Sequence, residues 1–290
     1  MVTDDIIKSI DKIHNIDASK PYYDNDLKDP IAGIVTPEWY YSISYKIFSD
    51  QIINWEQIEK SDLINKFVKR ITDLDSISKP KGEFELDFSC WYQSYHFSPR
   101  TRWGIHITKK AWLNMASKLH GECPSLISKP LESVKAAFLY LYYHSLYHYL
   151  IENAVSIVEI ILNQKDVYKK YIFDIYSHEF NSAKCIEESL ANRYLLKRWS
   201  EHSLNKEFLI QLLSNQGEGY RQFIKYLGKE FLNGNRLLIN RILQEKIDHS
   251  DQNQINLFPL EPLIDIFNPL TPDTNHEIPI WLHEKPIALR

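Results

Sequence analysis

The sequence predicts a mixed α+β protein, predominantly helical, with a small antiparallel sheet preceding one long central helix. Three observations lead there. Glu83–Phe88 alternates apolar and polar with period two and Cys90–Phe97 and Trp103–Thr108 are β-rich runs, whereas the segments before and after are helical in pattern. The run Leu131–Leu162 is apolar almost all round and long enough for about nine helical turns. From 167 to 247 a succession of shorter helical patterns follows, broken by polar turns. With 290 residues, of which 44% are hydrophobic, and with 18 Tyr, 13 Phe and 7 Trp, the chain can fill a sizeable core.

Taken in order, Ile6, Ile7, Ile10 and Ile13 mark an amphipathic helix over 4–14, and 17–37 reads as a loop. Two helical patterns occupy 38–71, the second starting after Ser61-Asp62 and carrying Leu63, Phe67, Val68 and Ile71. Residues 72–82 have the composition of a linker. Strands are expected at 83–88, within Cys90–Phe97 and at Trp103–Thr108, with a turn at Ser98-Pro99. A helix over Lys109–His120 then closes at Gly121, and Ser128 before Pro130 opens the central helix, which runs to about Leu162. Helices are predicted at 167–180, at Cys185–Trp199 after Asn181-Ser182, and over 204–214, 217–232 and 234–247. Six prolines between Pro259 and Pro286 permit only short extended pieces such as Ile278–Leu282. This divides the chain into an N-terminal helical region (1–82), a core of sheet plus helices (83–250) and a proline-rich C-terminal extension (251–290).

A net charge of −4 and a pI near 6.3 carry no electrostatic footprint for nucleic acid. Two histidines and several tyrosines interrupt the apolar run of the central helix, so it reads as buried and not as a membrane span. Cys90, Cys123 and Cys185 form no Cys-x-x-Cys pair, and the N-terminus has no targeting pattern, so the expected compartment is the cytoplasm. Oligomeric state is not legible.

Chemistry concentrates on the central helix. His144, His148, Glu152 and Glu159 follow at steps of four, four and seven, which keeps all four on one face. Two histidines four apart can bind one metal ion, each imidazole about 2.0–2.1 Å from zinc. A third ligand must come from elsewhere, and Glu187-Glu188-Ser189-Leu190-Ala191-Asn192 on a later helix offers carboxylates.

This pair of features resembles the zincin metallopeptidases of gluzincin type. In that family a His-Glu-x-x-His helix supplies two ligands and a later helix supplies a Glu, with an Asp or Asn four residues on. The resemblance covers roughly 84–200. It implies zinc bound by His144, His148 and Glu188, with Asn192 holding a ligand imidazole by hydrogen bond and Glu187 close behind the ligands. It also implies a peptide or protein as substrate or partner, docked along a strand near Trp103–Ile107. One departure matters: the family's general base follows the first histidine, and here that position is Ser145. Serine does not act as a base near neutral pH, which leaves Glu152 and Glu159 as the replacement bases. Three readings follow: a zinc peptidase, an inactive pseudopeptidase used for binding, regulation or toxin-like partnership, and a metal-free helical module whose histidines bond Tyr142, Tyr147 or Glu152.

Overall fold

Two short runs carrying β-favouring Trp, Tyr and Ile, Cys90–Gln93 and Gly104–Thr108, pair to start the sheet. The structure, a computed structural model, describes residues 44–48, 62–74, 90–97, 103–202, 204–244 and 278–283. Its strands are β1 (Ser44–Phe48), β2 (Cys90–Gln93), β3 (Gly104–Thr108) and β4 (Ile280–His283), in the order β1-β4-β3-β2. β2 and β3 pair antiparallel, as does β1 with β4, but β3 and β4 run parallel. The sheet is therefore mixed, where an antiparallel one was expected. The reason is topological: no hairpin joins β3 to β4, since the helices from Lys109 to Gln244 lie between them in the chain, and a long crossover permits parallel pairing.

Register divides the sheet into two faces. Cys90 lies opposite Ile107, Tyr92 opposite Ile105, and these in turn face Leu282 and Ile280 across β4. This apolar side packs on the central helix, where the Cys90 thiol lies 3.1 Å from the Ser145 hydroxyl. The other side carries Trp91, His106, Trp281 and His283 in a stack, with His106 Nδ1 2.8 Å from His283 Nε2.

The helices are α1 (Asp62–Leu74), α2 (Lys109–Glu122), α3 (Pro130–Leu162), α4 (Val167–Lys170), α5 (Ser177–Glu179), α6 (Ile186–Glu201), α7 (Lys206–Ser214), α8 (Glu218–Arg221) and α9 (Glu230–Gln244). A π-helical segment, Tyr171–Tyr176, joins α4 to α5, and a 3₁₀ segment, Gln222–Tyr226, follows α8. The central helix α3 begins with Pro130 at its first position and ends on Asn163 in the left-handed conformation, φ 48°. It is long and apolar enough to cross a membrane by length and composition, yet 61% of that window is buried within the protein. It packs chiefly against α2 and α6, and Phe138, Tyr140, Leu141 and Tyr147 on it are fully buried. Each such side chain contributes about 1.5–3 kcal/mol.

Several boundaries differ from expectation. Ser44–Phe48, inside a stretch read as helical, is a strand, consistent with its β-favouring Tyr, Ile and Phe. Gly121 lies within α2, which ends one residue later with Cys123 as cap. The helix expected over 217–232 breaks at Leu227–Lys229, where Gly228 takes φ +60°. β1 and β4 come from the stretches read as N-terminal region and C-terminal extension, yet both belong to this sheet. The expectations for 4–14, 17–37, 83–88, Ser98-Pro99 and 248–254 fall outside the described residues.

Candidate metal centre

Helical spacing on α3 and the start of α6 bring three side chains to one point. His144, His148 and Glu188 each offer one ligand atom, and these atoms lie within 4.8 Å of one another, forming a group that could hold a metal ion. His144 Nε2 is 3.4 Å from His148 Nε2 and 3.1 Å from Glu188 Oε2, while His148 Nε2 is 3.6 Å from Glu188 Oε1. Three ligands at zinc-type bond lengths in a tetrahedral arrangement are separated by about 3.3–3.4 Å, so these spacings bracket what such an ion needs.

The groups behind the ligands fix their proton positions. His148 Nδ1 lies 2.6 Å from Glu187 Oε1, and a carboxylate oxygen only accepts, so Nδ1 carries the proton. Asn192 turns its amide nitrogen toward Gln216 Oε1 (2.6 Å) and the Tyr220 carbonyl (3.0 Å). Its Oδ1 is thereby presented to His144 Nδ1 at 3.0 Å, which makes that nitrogen a donor too. Both Nε2 atoms then direct lone pairs at the Glu188 carboxylate. Three acceptors around one point require a cation, either a proton on an imidazole or a metal ion. Burial acts to raise the Glu188 carboxyl, but His148 and His144 bring it down to about 2.

Two tyrosines close the arrangement. Tyr171 donates its hydroxyl to Glu187 Oε2, and Tyr176 donates to Glu188 Oε1. Burial first, and then the adjacent carboxylates, push both phenols well above their ordinary value, so they remain donors. The His148 side chain keeps 14% exposure while Glu188 keeps 2%, so the group reaches solvent on the His148 side.

The other two carboxylates expected here, Glu152 and Glu159, are outside that group. Glu152 accepts from the Tyr92 hydroxyl, from Ser94 Oγ at 2.5 Å, and from the backbone N–H of Tyr95 (3.4 Å) and His96 (3.0 Å). The His96 ring spans both acids: Nδ1 is 2.5 Å from Glu152 Oε1 and Nε2 is 2.9 Å from Glu159 Oε2. Glu159 also receives the Tyr168 N–H at 3.0 Å. Burial would lower the His96 value, but the two carboxylates outweigh it and raise it to about 9. The result is a buried imidazolium clasped by two acids, holding the turn after β2 onto α3. Ser145, at the position of the missing base, is 1% exposed and bonded to the Cys90 thiol, itself pushed up to about 12 by burial. A cleft of about 400 Å³ lined by Lys118, Glu122, Asn205 and Gln211 shares no residue with the candidate site.

Sequence reasoning brought His144, His148, Glu188, Glu187 and Asn192 together, and missed His96, Tyr171, Tyr176 and Gln216. One signal for His96 was available: two acids on the inner face of a buried helix demand a buried cation. In comparisons with protein-family models, curated proteins and solved structures, nothing matched the chain.

Proposed function

We propose that this chain is a zincin-like zinc-binding protein whose metal is held by His144, His148 and Glu188. One observation carries the reading: two Nε2 lone pairs and a carboxylate converge at 3.1–3.6 Å, each imidazole fixed from behind by Asn192 or Glu187. A nitrogen–nitrogen–oxygen set of this spacing suits zinc, and three protein ligands would leave a four-coordinate ion one further position for a water or a ligand group. When bound, zinc would supply Lewis acidity toward a carbonyl and activation of water. The chain's own residues contribute positioning: Asn192 and Glu187 orient the imidazoles, and Tyr171 and Tyr176 hold the two acids.

The general base expected of a peptidase is the weak point of the hydrolytic reading. Glu152 would have to abandon its donors and His96 to act, and Ser145 faces Cys90. Metal-dependent binding of a peptide or protein partner is therefore preferred to hydrolysis. Peptide hydrolysis stands as the second reading, favoured by a three-ligand donor set of catalytic type and the partly exposed side of His148. Three free, buried cysteines fit a reducing compartment such as the cytoplasm.

Elemental analysis of the untagged protein beside His148→Ala tests the first reading. About one equivalent of zinc, lost in the variant, is expected; no metal in either protein, or iron in place of zinc, contradicts it. Cleavage of an unfolded protein by the zinc-loaded chain, abolished by chelation and in Glu188→Gln, would move the conclusion to hydrolysis.

A further inference from the structure

The π-helical segment Tyr171–Tyr176 has a specific geometric consequence. In an α-helix, residues five apart lie about 140° from each other, on different faces. The i→i+5 hydrogen bonding of a π-helix brings such residues back toward one face. Tyr171 and Tyr176 are five apart, their ring centroids are 6.3 Å from each other, and their hydroxyls reach the adjacent acids Glu187 and Glu188. The π geometry thus delivers one phenol to each acid.

The two contacts differ in effect. Tyr171 holds an acid that stands behind His148. Tyr176 holds Oε1 of Glu188, the oxygen facing His148, and leaves Oε2 facing His144. We propose that Tyr176 is a positioning residue that keeps Glu188 one-oxygen toward the ion and so preserves an open coordination position for a water or a ligand group. The inference rests on the zinc-binding reading above. Losing the Tyr176 hydroxyl would free Oε1, which lies 3.6 Å from His148 Nε2, to bind as a second oxygen and fill that position.

Cobalt(II) replaces zinc in such donor sets and reports coordination number through the intensity of its visible absorption, which falls as ligands are added to a four-coordinate ion. The experiment compares the cobalt-loaded full chain with Tyr176→Phe, Tyr176→Met and, as a control, Tyr143→Phe, whose hydroxyl lies 2.8 Å from His202 Nε2 outside the site, with metal content measured for each. The wild type and Tyr143→Phe are expected to give the intense four-coordinate spectrum. The two Tyr176 variants retain about one equivalent of metal and lose intensity, and their spectra no longer respond to added azide, for want of an open position. The second Tyr176 variant serves if the first does not fold. Metal retained with wild-type spectra and wild-type azide response in the Tyr176 variants overturns the proposal while leaving the zinc site intact. An equal spectral change in Tyr143→Phe also overturns it, because that outcome belongs to general loosening of the fold around the site. A wild-type chain that takes up no stoichiometric metal overturns the zinc-binding reading itself, and this proposal with it.

Discussion

Asn192 shows how much one side chain can decide. Its amide is locked by Gln216 and the Tyr220 carbonyl, so only its oxygen can face His144. Asn192→Ala is expected to weaken zinc binding about 10–100-fold with the fold retained, a change that competition with a chromophoric chelator reads directly; Asn192→Asp should recover most of it. His96 makes a different prediction. Its folded value, about 9, lies above the ordinary 6.5, so the clasp stabilises fully below about pH 6.5 and is lost as pH rises through about 9. Melting temperatures measured from pH 6 to 10 should fall across that window in the wild type. His96→Gln should be less stable at pH 6 and lack that fall; parallel curves would contradict the clasp. His144 and His148 were legible as candidate ligands because helical periodicity is local, whereas Glu188 and Asn192 were singled out by the resemblance to the gluzincin pattern of a later helix. His96 was not, since its partners lie 56 and 63 positions away and only the fold of the turn after β2 joins them.

At the scale of elements, β4 and the π segment carry most of what periodicity could not supply. Ile278–Leu282 was readable as an extended piece between prolines, but not its place beside β3, because pairing across the whole helical region leaves no local signature. The seam has one strict requirement. Gly104 sits at φ +129°, and a Cβ there would stand 2.3 Å from the Pro279 carbonyl oxygen, the acceptor for the Ile105 N–H at 2.9 Å. Gly104→Ala is expected to cost roughly 2–4 kcal/mol in chemical denaturation, through both backbone strain and loss of the β3–β4 seam. A cost below about 0.5 kcal/mol, the range of a surface substitution, would mean the seam is not as described. The π segment is illegible for another reason: Tyr171–Tyr176 reads as ordinary aromatic helix, and nothing in its spacing marks i→i+5 bonding.

For the molecule as a whole, the candidate centre joins α3 to α6, two of the most extensively packed helices, so metal binding should stabilise the global fold. An ion that binds only the folded chain, present at about 100 times its Kd, adds about 2.7 kcal/mol, which thermal or denaturant unfolding with and without zinc would detect. His148→Ala should show no such gain. The mixed sheet, the acid–imidazolium clasp and the candidate centre all lean on α3, which explains why a chain with so few local motifs still organises around one helix. The most direct test of the zinc reading is X-ray absorption at the zinc edge on the purified, untagged protein. Two imidazoles and one or more oxygens at about 2.0–2.1 Å, with one zinc per chain, are predicted; a sulfur shell at about 2.3 Å, or no stoichiometric zinc at all, would contradict it.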